Sequence, residues 1–131
     1  MTILSMDLNK LSELVIGAAI EVHRILGPGL LEQSYEKALI YELELRNLTC
    51  DSQITLPIAY KELSIPDAYR IDLLVERRLL IEIKAVENIL PVHKAQLLTY
   101  LRHTQKELGL LINFNSSLLK NGLTRIVNSP K

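Results

Sequence analysis

Asp72 stands ten residues before Glu82-Ile83-Lys84, and both lie in apolar runs, Tyr69-Arg-Ile-Asp-Leu-Leu-Val75 and Leu79-Leu-Ile-Glu-Ile-Lys-Ala85. Two carboxylates and a lysine on neighbouring strands are residue types that can hold a divalent cation beside a phosphodiester and orient an attacking water. Both runs alternate over part of their length and are rich in Ile, Leu and Val, so each is expected to be a strand. Only Glu76-Arg77-Arg78 separates them, which predicts a tight antiparallel hairpin.

Register decides whether these groups meet. If Val75 pairs with Leu79 across the three-residue turn, Asp72 falls opposite Glu82 and Arg70 opposite Lys84. Opposed side chains in an antiparallel pair share a face, with Cβ atoms roughly 4.5–5.5 Å apart. Two carboxylates that close repel unless one is protonated or a cation lies between them. A slip of one residue would send them to opposite faces. A purely structural alternative exists. Tyr69, Ile71, Leu73, Val75, Leu79, Ile81, Ile83 and Ala85 would form one apolar core face, and Arg70, Asp72, Glu82 and Lys84 a solvated lattice of cross-strand ion pairs.

The elements that must position the hairpin follow from periodicity. Residues 8–26 have helical spacing, with Leu8, Leu11, Val15, Ala18, Val22 and Ile25 on one face and Gly27-Pro28-Gly29 as the stop. A second helix is expected from about Leu31 to Arg46. Ile54, Leu56, Ile58 and Tyr60 alternate as a strand, with Pro57 marking an edge or irregular position. Pro66-Asp67 is expected to turn the chain into the Asp72 strand. Pro91 suits the first turn of a third helix reaching about Gln105, and strands are expected at Leu108–Phe114 and Leu123–Val127. Three strands in a meander, a crossover helix and further strand make a mixed sheet flanked by helices, an α/β fold.

At 131 residues the chain is long enough for one core and is expected to form a single domain, 1–131. A hydrophobic content of 48% with net charge zero excludes a disordered chain and one that grips nucleic acid through bulk charge. Charge is uneven: residues 1–60 hold 4 basic and 8 acidic side chains, residues 61–131 hold 11 and 7, so the C-terminal half is the expected phosphate surface. Cys50 is the single cysteine, which excludes an internal disulfide and a cysteine-based zinc site. With no signal-peptide pattern and no apolar run near the roughly 20 residues that span a bilayer, the cytoplasm is the expected compartment, with no membrane partner.

The third helix brings His93, Gln96, Tyr100 and His103 to one face at offsets of three, four and three, while Leu97, Leu98 and Leu101 serve the core. Gln96 and Tyr100 could orient water or touch a phosphate; otherwise they belong to a wet helix face. Glu32 and Tyr35 are one turn apart at the start of the second helix, where a glutamate also favours the helix dipole. His93 could line the site or face solvent, and His23 is expected to be a satisfied packing residue. No HxxxH or HExxH spacing and no glycine-rich phosphate loop exists, which disfavours a zinc hydrolase and a nucleotide-binding loop.

Gly29-Leu-Leu-Glu32-Gln-Ser-Tyr35 resembles the signature of the GxxExxY family, a compact branch of the PD-(D/E)XK nuclease-like superfamily. The similarity extends through Ala19–Gly29, Arg70–Val75, Glu82–Glu87, Pro91–Tyr100 and Leu110–Phe114. Pro66-Asp67 is only an accidental echo of the superfamily name. The resemblance implies an αβββαβ restriction-endonuclease-like core preceded by an extra N-terminal helix. It implies a metal-dependent nuclease in which Asp72 is the central aspartate, Glu82 and Lys84 the ExK pair, Glu32 the acid of the first core helix, and Gln96 with Tyr100 the QxxxY extension. Asp72, Glu82 and the Ile83 carbonyl would hold Mg²⁺ or Mn²⁺, with Glu32 on a second ion or on metal-bound water. The expected partner is nucleic acid, DNA before RNA, and superfamily members of this size often act as homodimers. The alternatives are a catalytically inactive nuclease-fold module that binds nucleic acid or a protein partner, and an assembly component that needs one.

Overall fold

The computed structural model describes residues 6–129. Helix α1 (Leu8–Leu26) begins where the Asp7 carboxylate accepts the Lys10 N–H at 2.8 Å, a side-chain N-cap. It ends where Gly27, at φ 68°, donates its N–H back to the His23 carbonyl at 2.8 Å. Its buried stripe is Leu11, Val15, Ala18, Ala19 and Val22. Ile25, expected on that face, is 65% exposed because it lies at the fringe of the stripe in the last turn.

Helix α2 (Glu32–Leu45) follows, then strands β1 (Cys50–Tyr60), β2 (Leu63–Val75) and β3 (Leu79–Lys84), helix α3 (Pro91–Thr104), strand β4 (Leu108–Asn113), a single 3-10 turn at Leu119–Gly122, and strand β5 (Leu123–Val127). The five strands lie in the order β1-β2-β3-β4-β5. The β3–β4 pair, joined by the α3 crossover, is parallel and the other three are antiparallel. This is the α/β architecture expected: an open mixed sheet flanked by helices, with α1 as the N-terminal addition to an αβββαβ core and β5 extending the far edge.

The turn into β2 is not at Pro66-Asp67. Tyr60 pairs with Leu63, so the chain reverses at Lys61-Glu62, where Lys61 adopts φ 54°. Pro66-Asp67 lies within β2 as a bulge, since the register with β1 shifts between Leu56 and Ile58 and Asp67 adopts φ 54°. Pro57 sits at that shift on the edge strand, where its missing N–H costs no ladder bond.

The β2–β3 hairpin has the expected register: Val75 faces Leu79, Leu74 faces Leu80 and Leu73 faces Ile81. Glu76 and Arg77 both take positive φ, 53° and 56°, and the Arg78 N–H donates to the Val75 carbonyl at 3.0 Å. Positive φ at both central positions is the signature of a type I′ turn, whose twist suits a hairpin. The eight apolar residues do not share one face, however. Leu73, Val75, Leu79, Ile81 and Ile83 pack with α1 and α2, whereas Tyr69 and Ile71 pack with Leu80, Leu97, Tyr100, Leu101 and Leu111 beneath α3. The strand changes faces at Asp72, opposite Gln53, which itself adopts φ 52° and drops out of the β1–β2 ladder. Burial on both sides leaves β3 and β4 almost entirely enclosed.

Candidate active site

The β2–β3 ladder stops at Leu73 and Ile81, and at the next position side chains take over the cross-strand bonds. The Asp72 N–H donates to Glu82 Oε1 at 3.3 Å, and the Ile83 N–H donates to Asp72 Oδ2 at 2.8 Å. Each carboxylate thereby holds the other strand's backbone, and the two acids sit together in a notch where the strands part. Phe114 N–H donates to the Lys84 carbonyl at 2.9 Å on the β4 side, so the Ile83 carbonyl points the other way, toward the notch. Hard oxygen donors of this kind fit a magnesium- or manganese-sized ion.

Glu82 is only 6% exposed. Burial pushes its carboxyl up to about 9, and the Asp72 carboxylate pushes in the same direction, with Lys84 opposing weakly. Among the described residues, none of Arg70, Asp72, Glu82 and Lys84 forms an ion pair within 4.0 Å. These residues therefore do not form the ion-pair lattice; buried Glu82 lies beside half-buried Asp72, and a proton or a divalent cation would relieve their repulsion. Among the described residues no three carboxylate, histidine or cysteine side chains gather within one metal shell. The pair would therefore be completed by the Ile83 carbonyl and water, with Glu32 outside direct reach of the same ion.

Glu32 comes to the notch from α2: its Oε2 accepts the Ala85 N–H at 3.2 Å, one residue past Lys84. Tyr35 explains the rest of that motif. Its fully buried ring stacks on Phe114 at 4.7 Å, while its hydroxyl donates to the Gly27 carbonyl at 2.6 Å and accepts the Leu30 N–H at 3.0 Å. It braces the turn through Gly29, at φ 104°, that aims the α2 N-terminus at β3.

Helix α3 supplies Gln96 and Tyr100 from the other face of the sheet, and Glu32, Asp72, Glu82, Lys84, Gln96 and Tyr100 line one groove. Gly109 lets α3 sit close, since a Cβ there would meet the Leu97 side chain at 2.9 Å. Tyr100 is not on a wet face. It is 6% exposed and stacks on Tyr69 at 4.7 Å, 17° from parallel. Burial raises its phenol, the nearby Glu82 adds to that, and a hydrogen bond with Gln96 opposes it. Gln96 is exposed. His93 does not line the groove: its Nδ1 accepts the Leu90 N–H at 3.0 Å and caps α3. His103 lies edge-on to Tyr69 at 5.6 Å, and His23 is satisfied by the Ser116 carbonyl at 2.7 Å. Cys50 is half-buried and its thiol is pushed up to about 12 by burial, which makes it inert.

Asn113 was not singled out by its sequence context. Buried opposite Lys84 on β4, it accepts the Val86 N–H at 3.1 Å and donates to the Val86 carbonyl at 2.8 Å. With Glu32 on Ala85, it fixes the two residues that follow Lys84. A polar residue ending an apolar strand was the available signal.

Residues 9–126 match the PD-(D/E)XK nuclease superfamily, and the chain belongs to it. Comparison with curated proteins and with solved structures gave no match. Among the described residues no helix is long and apolar enough to cross a membrane.

Proposed function

We propose that this protein is a metal-dependent nuclease of the GxxExxY branch, hydrolysing phosphodiester bonds in nucleic acid at the Asp72–Glu82 notch. The observation that supports this most is the acid pair itself: two carboxylates locked side by side, one of them buried, with no cationic side chain among the described residues within ion-pair distance and Lys84 lining the same groove. Such a pair is costly unless a proton or a cation compensates it.

Asp72, Glu82 and the Ile83 carbonyl would hold Mg²⁺ or Mn²⁺, and Glu32 would order water around it or take a second ion. When bound, the ion supplies Lewis acidity toward the scissile phosphate and a lower pKa for water. Lys84 positions the attacking water and offsets negative charge developing on the phosphate oxygens. Gln96 and Tyr100 orient the substrate or Lys84, and the stacked Tyr69 holds Tyr100 in place. DNA is the expected substrate, the cytoplasm the expected compartment and a homodimer the expected assembly.

The test is a cleavage assay over single-stranded, duplex and branched DNA and over RNA, with Mg²⁺, Mn²⁺ or chelator. Metal-dependent products that vanish in Glu82→Gln support the proposal. Products that persist in Glu82→Gln come from a contaminant, and absence of cleavage on every substrate favours the noncatalytic binding module.

A further inference from the structure

A second groove lies on the α2 side of the sheet and encloses about 470 Å³, within the range of small-molecule sites. It shares Glu32, Arg70 and Asp72 with the groove beneath α3, so the two meet over the notch. Half-buried Ile40 supplies apolar surface, buried Ile83 closes the floor, and Gln33, Glu36 and Gln53 form a polar edge. The Gln53 amide donates to the Glu36 carboxylate, which holds the amide's second N–H and the carboxylate's second oxygen side by side as donor and acceptor positions. Gln53 is held at φ 52° in the middle of a strand, a conformation that a non-glycine residue adopts at a cost and that concentrates at functional sites. Arg70 is exposed and, among the described residues, has no carboxylate within 4.0 Å, which leaves its planar fork free for a phosphate.

We propose that this α2-side groove is a nucleobase subsite, taking the base of the nucleotide next to the scissile phosphate while Arg70 holds that nucleotide's phosphate. Amide and carboxyl side chains are the groups that read base edges by paired hydrogen bonds, and Ile40 offers the base an apolar wall. The base enters across the notch to the sheet face opposite α3, with its pairing edge turned to Gln33, Glu36 and Gln53. It must therefore be unpaired, and the substrate class is a single strand or an unpaired nucleotide within a longer nucleic acid. This inference rests on the nuclease assignment for the position of the scissile phosphate.

The test is equilibrium binding by fluorescence anisotropy, with Mg²⁺, in the slowed Lys84→Ala protein and read before one turnover. The probes are a labelled ten-nucleotide single strand, its duplex, and single strands with one abasic position moved along the chain, each in DNA and RNA form. The strand should bind at least about tenfold more tightly than the duplex, with one abasic position costing a similar factor. Adding Gln33→Ala or Gln53→Asn, which tolerates positive φ, should weaken the intact strand but leave the strand abasic at that position unchanged. Equal binding of strand and duplex, no sensitive position, equal losses on intact and abasic strands, or no binding would each overturn the proposal. Failure of the nuclease assignment is read separately, as absence of metal-dependent cleavage by the unmodified protein.

Discussion

Asp72 and Glu82 hold each other's strands reciprocally, the Asp72 N–H on Glu82 Oε1 at 3.3 Å and the Ile83 N–H on Asp72 Oδ2 at 2.8 Å. The ladder is thus replaced, at one position, by two acids. Neutralising them is a condition of stability.

Metal-free protein should lose stability as pH rises. Glu82 titrates at about 9 when folded against a reference of 4.5, so between those values the folded state binds a proton that the unfolded state has released. Stability contributed by the protonated acid is complete below the reference value and is lost as pH climbs through about 9. Thermal unfolding in chelator should show the midpoint falling from pH 6 to pH 9, and Glu82→Gln should flatten that slope. A slope unchanged in Glu82→Gln would show that the burial of this acid is not its source.

Removing the Lys84 amine should spare the fold and cation binding yet slow turnover by roughly 10²-fold, the scale of losing one group that stabilises developing charge. Single-turnover cleavage by Lys84→Ala measures this. A rate equal to the unmodified protein would remove Lys84 from the mechanism.

Tyr35 and Glu32 should separate by readout although they belong to one motif. Tyr35→Phe keeps the stack on Phe114 but strips the partners from the Gly27 carbonyl and Leu30 N–H, costing about 1–3 kcal/mol in denaturant unfolding. Glu32→Ala, at an exposed position, should change the unfolding midpoint little and cleavage strongly. The reverse pattern would make Glu32 a structural brace and nothing more.

The hairpin register was legible because a three-residue connection between two alternating runs admits few pairings, and Gly27-Pro28-Gly29 marked the end of α1 at Leu26. The true turn at Lys61-Glu62 was not legible. Neither residue has the chemistry of a left-handed position, whereas Asp67 after Pro66 does, and only the register shift between Leu56 and Ile58 makes it a bulge. The change of faces at Asp72 was hidden for a similar reason. Strict alternation assumes an unbroken pleat, and the break depends on Gln53 nineteen residues away in sequence. Tyr100, on α3, was misjudged as a possible wet position because its partner, Tyr69, arrives from β2. Residue types along β2, β3 and α3 named the groove; the backbone geometry that joins it to a second one required the fold.

Calorimetric titration of Mg²⁺ or Mn²⁺ into the protein and into Asp72→Asn measures the central claim most directly. The unmodified protein should bind the ion with release of a proton, because Glu82 must ionise to ligate, and Asp72→Asn should show no saturable heat. No ion binding by the unmodified protein, or equal binding by both, would contradict a metal centre at this notch.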